Sequence, residues 1–476
     1  MRMTHSNLKK YLHVLPTICL GVILFFGNLP TASPTQTNPI KHIIVIIQEN
    51  HTYDNYFGTY PNANGLNPNV GLPIEPNSDK KVYPFHIENS TPTIDLTHNR
   101  EPALEAFNNG KMDGFVYAEK SDLTMGYFDN RDIPNYWNYA SKFVLADNFF
   151  TSVMGPSLPN HMFLFAGQSG GIVDNVDNIT LDFPCIMDEL DSHDLSWKYY
   201  GVNDVFHYAN PLPAFQSFKN NSTRFSNCLP TNQFFTDVSE GKLADVVWIR
   251  NESLSEHPPQ NVTLGQNFVV SIINEVMNSS FWSSSAIFIV WDDYGGWYDH
   301  VPPPQVDKIG YGLRSPLLVI SPYAKSGFVD HELNDLTSLL KFIETTFSLA
   351  PLAERDAEAN NLMEAFDFSQ PPRETLILPG QYVPDSYPLR LQSDENKDLN
   401  WLSKLQYVIL GIATVSLISL LAGLYIKKHK NAKLPIQILN SYTKCALNLS
   451  FNKRHMYLNI SFKPSLLLPF SRIAKT

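Results

Sequence analysis

Two apolar runs in this chain end in groups of oxygen-bearing side chains. Residues 43–47 form an unbroken β-branched run, and Glu49 and Asn50 follow it almost at once. Residues 286–291 form a second run, which leads straight into Asp292 and Asp293 and then Gly295 and Gly296. Together the four side chains make an all-oxygen donor set of the kind that binds one hard divalent cation. Two adjacent carboxylates at a strand end repel each other unless a cation or a proton lies between them. The competing reading is a pair of solvated turns, with the first acid near a helix start. Between the two stretches lies MGPSLPNH, residues 154–161. Ser157 falls there at a plausible strand-to-helix turn, where helix amides would face an anion. A serine oxygen beside a divalent cation becomes a usable nucleophile. The same residues equally suit a Ser157 that only caps its helix.

These side chains need a rigid frame, and the apolar pattern supplies one. Short strand-like runs at 43–47, 143–146, 246–249, 286–291 and 317–321 alternate with helical and loop segments, as in an α/β domain. Residues 335–348 repeat apolar positions at helical spacing and should pack on the sheet. In open α/β sheets ligands bind outside the carboxyl ends of the strands, which is where both oxygen-rich groups fall. The pattern predicts a catalytic domain over residues 36–370 and a Pro-rich, polar stalk over 371–404.

Charge and hydropathy place that domain relative to a membrane. The chain has 476 residues and a net charge of −11, but residues 427–476 carry ten Lys and Arg and no acid. The remainder holds 25 basic against 46 acidic residues, a body of about −21 that argues against a nucleic-acid partner. Residues 405–426 contain no charge and are flanked by Lys404, Lys427 and Lys428. At about 1.5 Å per residue they reach across a hydrocarbon core of about 30 Å. The basic tail, 427–476, would then lie in the cytoplasm and the domain outside the cell membrane. Residues 1–35 have the basic, apolar and small-residue order of a secretory signal, cleaved or retained as an anchor. Sequons at Asn89, Asn178, Asn221, Asn251, Asn261 and Asn278 fit an exported glycoprotein, and the sequon at Asn50 is expected to stay unused. Cys185 and Cys228 are the two cysteines of the exported part, and they are expected to form a disulfide there.

ENHTYDNYFG, residues 49–58, resembles the opening block of the secreted phospholipase C and acid phosphatase phosphoesterases. NNGKMDGF at 108–115, GPSLPNH at 155–161, SEHPP at 255–259 and WDDYGGWYDHVPPP at 291–304 resemble further blocks of that family, in the same order. The resemblance implies an alkaline-phosphatase-like three-layer α/β/α sandwich with a mainly parallel central sheet, here with one C-terminal transmembrane helix added. It implies one divalent metal held by Glu49, Asn50, Ser157, Asp292 and Asp293, with Ser157 also the nucleophile. His98 and His257 would be the phosphate-side histidines and proton donors, and Asn160 and His300 would contact substrate. The substrate implied is a phosphate ester, either a phospholipid headgroup or a soluble phosphomonoester. This chain departs from the family at His51-Thr52-Tyr53, where Arg-Ser-Phe is common, and at His161, where Arg is common. Ser157 stands where many phospholipase C members carry threonine, which leans toward the phosphatase branch. A sulfatase-like hydrolase and an inactive surface glycoprotein on the same fold are the alternatives.

Overall fold

The computed structural model describes residues 38–381, apart from 202–205 and 220. The segment 1–35, the span 405–426, the tail 427–476 and the stalk beyond 381 lie outside the described residues. Among those described, no helix is long and apolar enough to cross a membrane.

Eight strands form one sheet. They are β1 (His42–Gln48), β2 (Val144–Ala146), β3 (Trp197–Tyr200), β4 (Cys228–Leu229), β5 (Val246–Ile249), β6 (Ser285–Trp291), β7 (Leu317–Ile320) and β8 (Phe328–Asp330). Their order is β8-β2-β7-β6-β1-β5-β3-β4. Only β7 is antiparallel to its neighbours, so the sheet is mainly parallel as expected. All five strands read from the apolar runs are present, and all five belong to this sheet. The short strands β3, β4 and β8 were not expected.

Consecutive side chains of a strand point to opposite faces. Ile43 to Ile47 of β1 and every residue of β6 are buried, so both faces of the sheet centre are covered. The helices that matter for the site are α1 (Tyr53–Phe57), α2 (Phe115–Glu119), α3 (Pro134–Lys142), α4 (Ser157–Ala166), α5 (Val262–Met277) and α6 (Leu336–Phe347). α6 matches the helical pattern predicted at 335–348, and its apolar side joins the main core. A second, smaller core around Ala103, Phe115, Met125, Tyr294 and Tyr298 seats the 96–125 region beside the turn that follows β6.

Two expectations change. The predicted stalk begins too early, because residues 371–381 are docked on the domain. Trp282 Nε1 donates to Arg373 O (2.9 Å), Asn274 Nδ2 to Leu378 O (2.8 Å), and Gln381 N to Asn267 Oδ1 (2.7 Å). Cys185 and Cys228 are not joined by a disulfide. Cys185 opens the helix Ile186–Ser192 with its Sγ 3.3 Å from Asp188 Oδ2, and Cys228 pairs with Tyr199 at the sheet edge.

Ile46 is fully buried at the sheet centre, in register with Ile249 on one side and Ile289 on the other. Ile46→Ala should destabilise the fold by ~2–5 kcal/mol in urea unfolding. A loss below ~1 kcal/mol would mean this strand is not the centre of the core.

Candidate active site

Three adjacent parallel strands deliver the site. Ile46 pairs with Ile249 and Gln48 with Trp291, so the residues just beyond the strand ends stand side by side. These are Arg250 after β5, Glu49 and Asn50 after β1, and Asp292 and Asp293 after β6. The ladder runs to the edge of the crevice, with Asp292 N donating to Gln48 O at 3.1 Å. Asn50 adopts a left-handed backbone (φ 64°), which asparagine tolerates better than most residues. Its N–H donates to Asp292 Oδ1 at 3.3 Å. Gly295 makes this approach possible. A Cβ there would lie 2.1 Å from Asn50 O, and its φ is +60°.

Ser157 is the first residue of α4. The helix cap position is Pro156, which has no side-chain capping bond, so Ser157 is not a cap. Its Oγ instead donates to Asp293 Oδ2 at 3.1 Å. Burial raises the carboxyl pKa of both Asp292 and Asp293, and at Asp293 the neighbouring Asp292 raises it further. His98 and His257 act electrostatically on Asp292, and their rings pack edge to face with centroids 5.6 Å apart. Each fixes its Nδ1 proton on a carbonyl, His98 on Leu96 O and His257 on Pro258 O, both at 2.9 Å. The two Nε2 atoms lie outside these bonds. Burial works to lower the His257 pKa, but the Glu49 and Asp95 carboxylates and the Pro258 carbonyl outweigh it, and the net shift is upward.

The structure therefore brings together seven of the nine expected site residues: Glu49, Asn50, His98, Ser157, His257, Asp292 and Asp293. Asn160 and His300 are held by other partners. Asn160 is fully buried and braces the loop before Ser157, accepting from Val153 N (2.9 Å) and donating to the carbonyls of Val153, Gly155 and Pro156. His300 belongs to a separate ion network, described below. His51, Thr52 and Tyr53 are also fully buried, so this departure from the family motif alters packing rather than a substrate surface. Among the sequons, Asn50 is fully buried, and Asn261 is tied to Leu264 N and Thr91 Oγ1.

Two important residues were not expected. Arg250 is fully buried and bonds Glu49 Oε1 through Nε (2.7 Å) and its NH2 group, and Glu252 through NH1 (2.5 Å). It follows an apolar strand immediately, the same signal that identified Glu49 and Asp292. Glu256, beside His257, is fully buried, and burial raises its pKa to about 7. Four donors grip its carboxylate: Gln48 Nε2 (2.9 Å), Tyr136 Oη (2.6 Å), Tyr56 Oη (2.7 Å) and Trp291 Nε1 (2.9 Å). Two of these donors are the last residues of β1 and β6.

The residues present suit a divalent cation. Glu49, Asp292 and Asp293 can contribute three negative charges and Arg250 one positive charge, a balance that one divalent ion would neutralise. Both side-chain amide atoms of Asn50 and Oδ2 of Asp292 are buried without a hydrogen-bond partner, which polar atoms in a finished interior rarely are. Among the described residues, acid and histidine ligand atoms gather in threes within 4.8 Å at Asp54, Asp299 and His300, and at His86, Asp129 and Asp132. In each group an arginine already bonds to acid members: Arg314 to Asp54 and Asp299, and Arg131 to Asp129. Glu49 is likewise turned toward Arg250.

A mainly parallel α/β sheet with an acid-lined crevice at its carboxyl ends defines the class of protein. Residues 40–350 match the model of the Phosphoesterase family, and the chain belongs to that family. It is 27% identical over 406 residues to the non-hemolytic phospholipase C of Pseudomonas aeruginosa, covering 70% of this chain and 58% of that protein. It is also 27% identical over 415 residues to phospholipase C A of Mycobacterium tuberculosis, covering 72% of this chain and 80% of that one. The chain thus spans well under two thirds of the first relative's length. A solved protein of the alkaline phosphatase superfamily from Vibrio parahaemolyticus aligns with a TM-score of 0.36 and 10% identity, covering 68% of this chain and 74% of its own.

His300 accompanies a buried network that locks the two motif loops together. Arg314 donates to Asp54 Oδ1 (2.9 Å) and to both Asp299 oxygens (3.1 Å each), and also to the carbonyls of Asn64 and Asp147. His300 Nδ1 lies 2.7 Å from Asp54 Oδ2, and its Nε2 lies 3.1 Å from Asn64 Oδ1. Burial opposes a charge on His300, but Asp54 outweighs it and the pKa is raised. A histidine with a raised folded-state pKa gives stability that is fully present below its unfolded value of about 6.5 and is lost as pH rises through the folded value. His300→Gln should therefore destabilise the protein more at about pH 5.5 than at about pH 9. Equal losses at the two pH values, read from thermal melts, would show that no such ion pair forms.

Proposed function

We propose that the chain is a metal-dependent phosphoric ester hydrolase that works through Ser157. The observation that carries this reading is Ser157 Oγ at the N-terminus of α4, hydrogen-bonded to Asp293, whose neighbour Asp292 accepts from Asn50 N and feels the charge of His98 and His257. Asp293 Oδ2 accepts the Ser157 proton as Oγ attacks phosphorus. The P–O bond to the leaving group breaks, and His257 Nε2–H protonates the departing oxygen, with His98 beside it. The upward shift of the His257 pKa suits it to hold that proton. The amino end of α4 faces the phosphoryl oxygens with its partial positive charge. Water then attacks the phosphoserine, giving its proton to His257, and the Ser157–phosphorus bond breaks as Asp293 Oδ2 returns its proton to Oγ, releasing phosphate or a phosphomonoester. Glu49, Asn50, Ser157, Asp292 and Asp293 would hold a divalent cation, which when bound lowers the serine pKa and offsets phosphoryl charge.

The relatives support a phosphate ester as substrate. Those named phospholipase C favour a phosphodiester such as a lipid headgroup, while Ser157 in place of threonine favours a monoester. The export signal and the 405–426 span lead us to place the domain outside the cell membrane, held there by that segment.

Purified protein should hydrolyse p-nitrophenyl phosphate, p-nitrophenyl phosphocholine or both, and the ratio of the two decides between the branches. Chelation should abolish turnover, and a divalent salt should restore it. Ser157→Ala should lower kcat by at least ~10³-fold with an unchanged melting temperature in the metal-free protein. Near-normal turnover by that variant would remove Ser157 from the mechanism, and no hydrolysis of either ester by the metal-loaded wild type would refute the activity.

A further inference from the structure

His161 lies one turn after Ser157 in α4 and is fully buried. Its Nδ1 is 3.0 Å from the Ser157 carbonyl oxygen. A carbonyl can only accept, so Nδ1 carries the proton, and Nε2 of the neutral ring is a bare lone pair. Nε2 has no hydrogen-bond partner. Arg250, whose charge acts on this ring, spends Nε and both terminal nitrogens on Glu49 and Glu252. Asp292 Oδ2, 3.5 Å from the other ring nitrogen, also has no hydrogen-bond partner, and neither do the two amide atoms of Asn50.

A buried donor or acceptor left unmatched costs ~1–3 kcal/mol. The three residues that carry these four atoms are joined by short contacts. Asn50 N reaches Asp292 Oδ1, and Asp292 Oδ2 reaches the His161 ring. An imidazole whose one N–H is pinned to a backbone carbonyl, with the other nitrogen presented bare, is oriented as metal-bound histidines are. We propose that His161 Nε2 is a further ligand of the divalent cation read above at Glu49, Asn50, Ser157, Asp292 and Asp293, so that the donor set mixes nitrogen with oxygen. The inference rests on that reading of the site. Its chemical consequence concerns the choice of metal. An all-oxygen set suits magnesium, calcium and manganese, whereas an imidazole moves the preference toward zinc, iron or cobalt.

Full-length protein stripped of metal and reloaded with vanadyl reports bonded nitrogens directly in electron spin-echo modulation. The wild type should show imidazole nitrogen coupling that survives in His98→Gln and in His257→Gln and disappears in His161→Gln. In competitive loading, His161→Gln should lose at least ~10-fold of its preference for zinc over manganese, read by elemental analysis. An absence of nitrogen coupling in the wild type, its persistence in His161→Gln, or an unchanged zinc preference overturns the inference. Should His161→Gln fail to fold, the wild type and the other two variants decide: coupling that survives in both supports His161, and its loss in either refutes it. Asp293→Asn tests the parent reading separately. If that variant still binds one equivalent of metal, the site itself is misplaced. If it loses metal while the wild type lacks nitrogen coupling, only the role of His161 falls.

Discussion

The constraint that shapes this molecule is negative charge buried at the ends of its central strands. Neighbouring unit charges about 4 Å apart repel by about 4 kcal/mol at an effective dielectric of about 20, before either has been stripped of water. The fold answers this in more than one way. Arginines neutralise Glu49, Asp54 and Asp299, through Arg250 and Arg314. Glu256 has no cation bonded to it and takes four hydrogen-bond donors instead. Asp292 and Asp293 have neither an arginine partner nor a full set of donors. One serine hydroxyl, a few backbone N–H groups and a histidine at 3.5 Å are all the protein gives them. Among the described acids at these strand ends, it is at this pair that the protein leaves the problem open, and that is the physical case for a cation there.

Register turns this local problem into a site. Because β5, β1 and β6 run parallel and in step, the residues after each strand meet without any long side chain having to reach. Glu256 extends the same logic to the histidine. Its carboxylate ties Gln48 and Trp291, one residue before Glu49 and Asp292, to Tyr56 of α1 and Tyr136 of α3. His257 is the next residue, so the loop that offers its imidazole is anchored to both strand ends. The Glu49 N–H completes the link by donating to Ser255 O at 2.8 Å. A buried ion pair such as Arg250–Glu49 adds little net stability over a well-packed apolar pair, yet removing one partner costs ~3–5 kcal/mol. Its presence is better explained by what it orients than by what it stabilises.

The parts of this design that the sequence revealed were those with a local signature. Uninterrupted β-branched runs give strands buried on both faces, and all five runs became strands of one sheet. Acids directly behind such runs marked Glu49, Asp292 and Asp293 before any geometry was known. Arg250 carries the same signature after residues 246–249, but a basic residue among expected metal ligands does not draw attention to itself. The partners of His300 were not legible because they lie far away in sequence: His300 is committed to Asp54 and Asn64, 246 and 236 positions earlier. The partners of Asn160 are four to seven residues away but act through a loop conformation that no residue pattern announces. The expected disulfide rested only on compartment and cysteine count, with no geometric constraint behind it. The docking of residues 371–381 was hidden by composition, because a Pro-rich strip can lie on a protein surface as readily as it can form a stalk.

Local rules are broken where the chemistry is proposed, and the breaks share one direction. Asn50 accepts a left-handed backbone, Gly295 gives up its side chain to let that backbone close, and Asn50, Asp292 and His161 bury polar atoms without partners. Each costs on the order of 1–3 kcal/mol, and their sum would be a large part of an ordinary domain's net stability. The surrounding frame can carry such a burden because it is rigid on every side: the β1–β6 ladder below, the α4 loop braced by Asn160, and the Arg314 network tying α1 to the segment after β6. Ser157 completes this arrangement, since its hydroxyl bonds Asp293 rather than its own helix. The nucleophile proposed for the reaction is therefore held by the same carboxylate whose charge most needs a counterion. Metal binding and serine activation would then be two consequences of a single electrostatic imbalance.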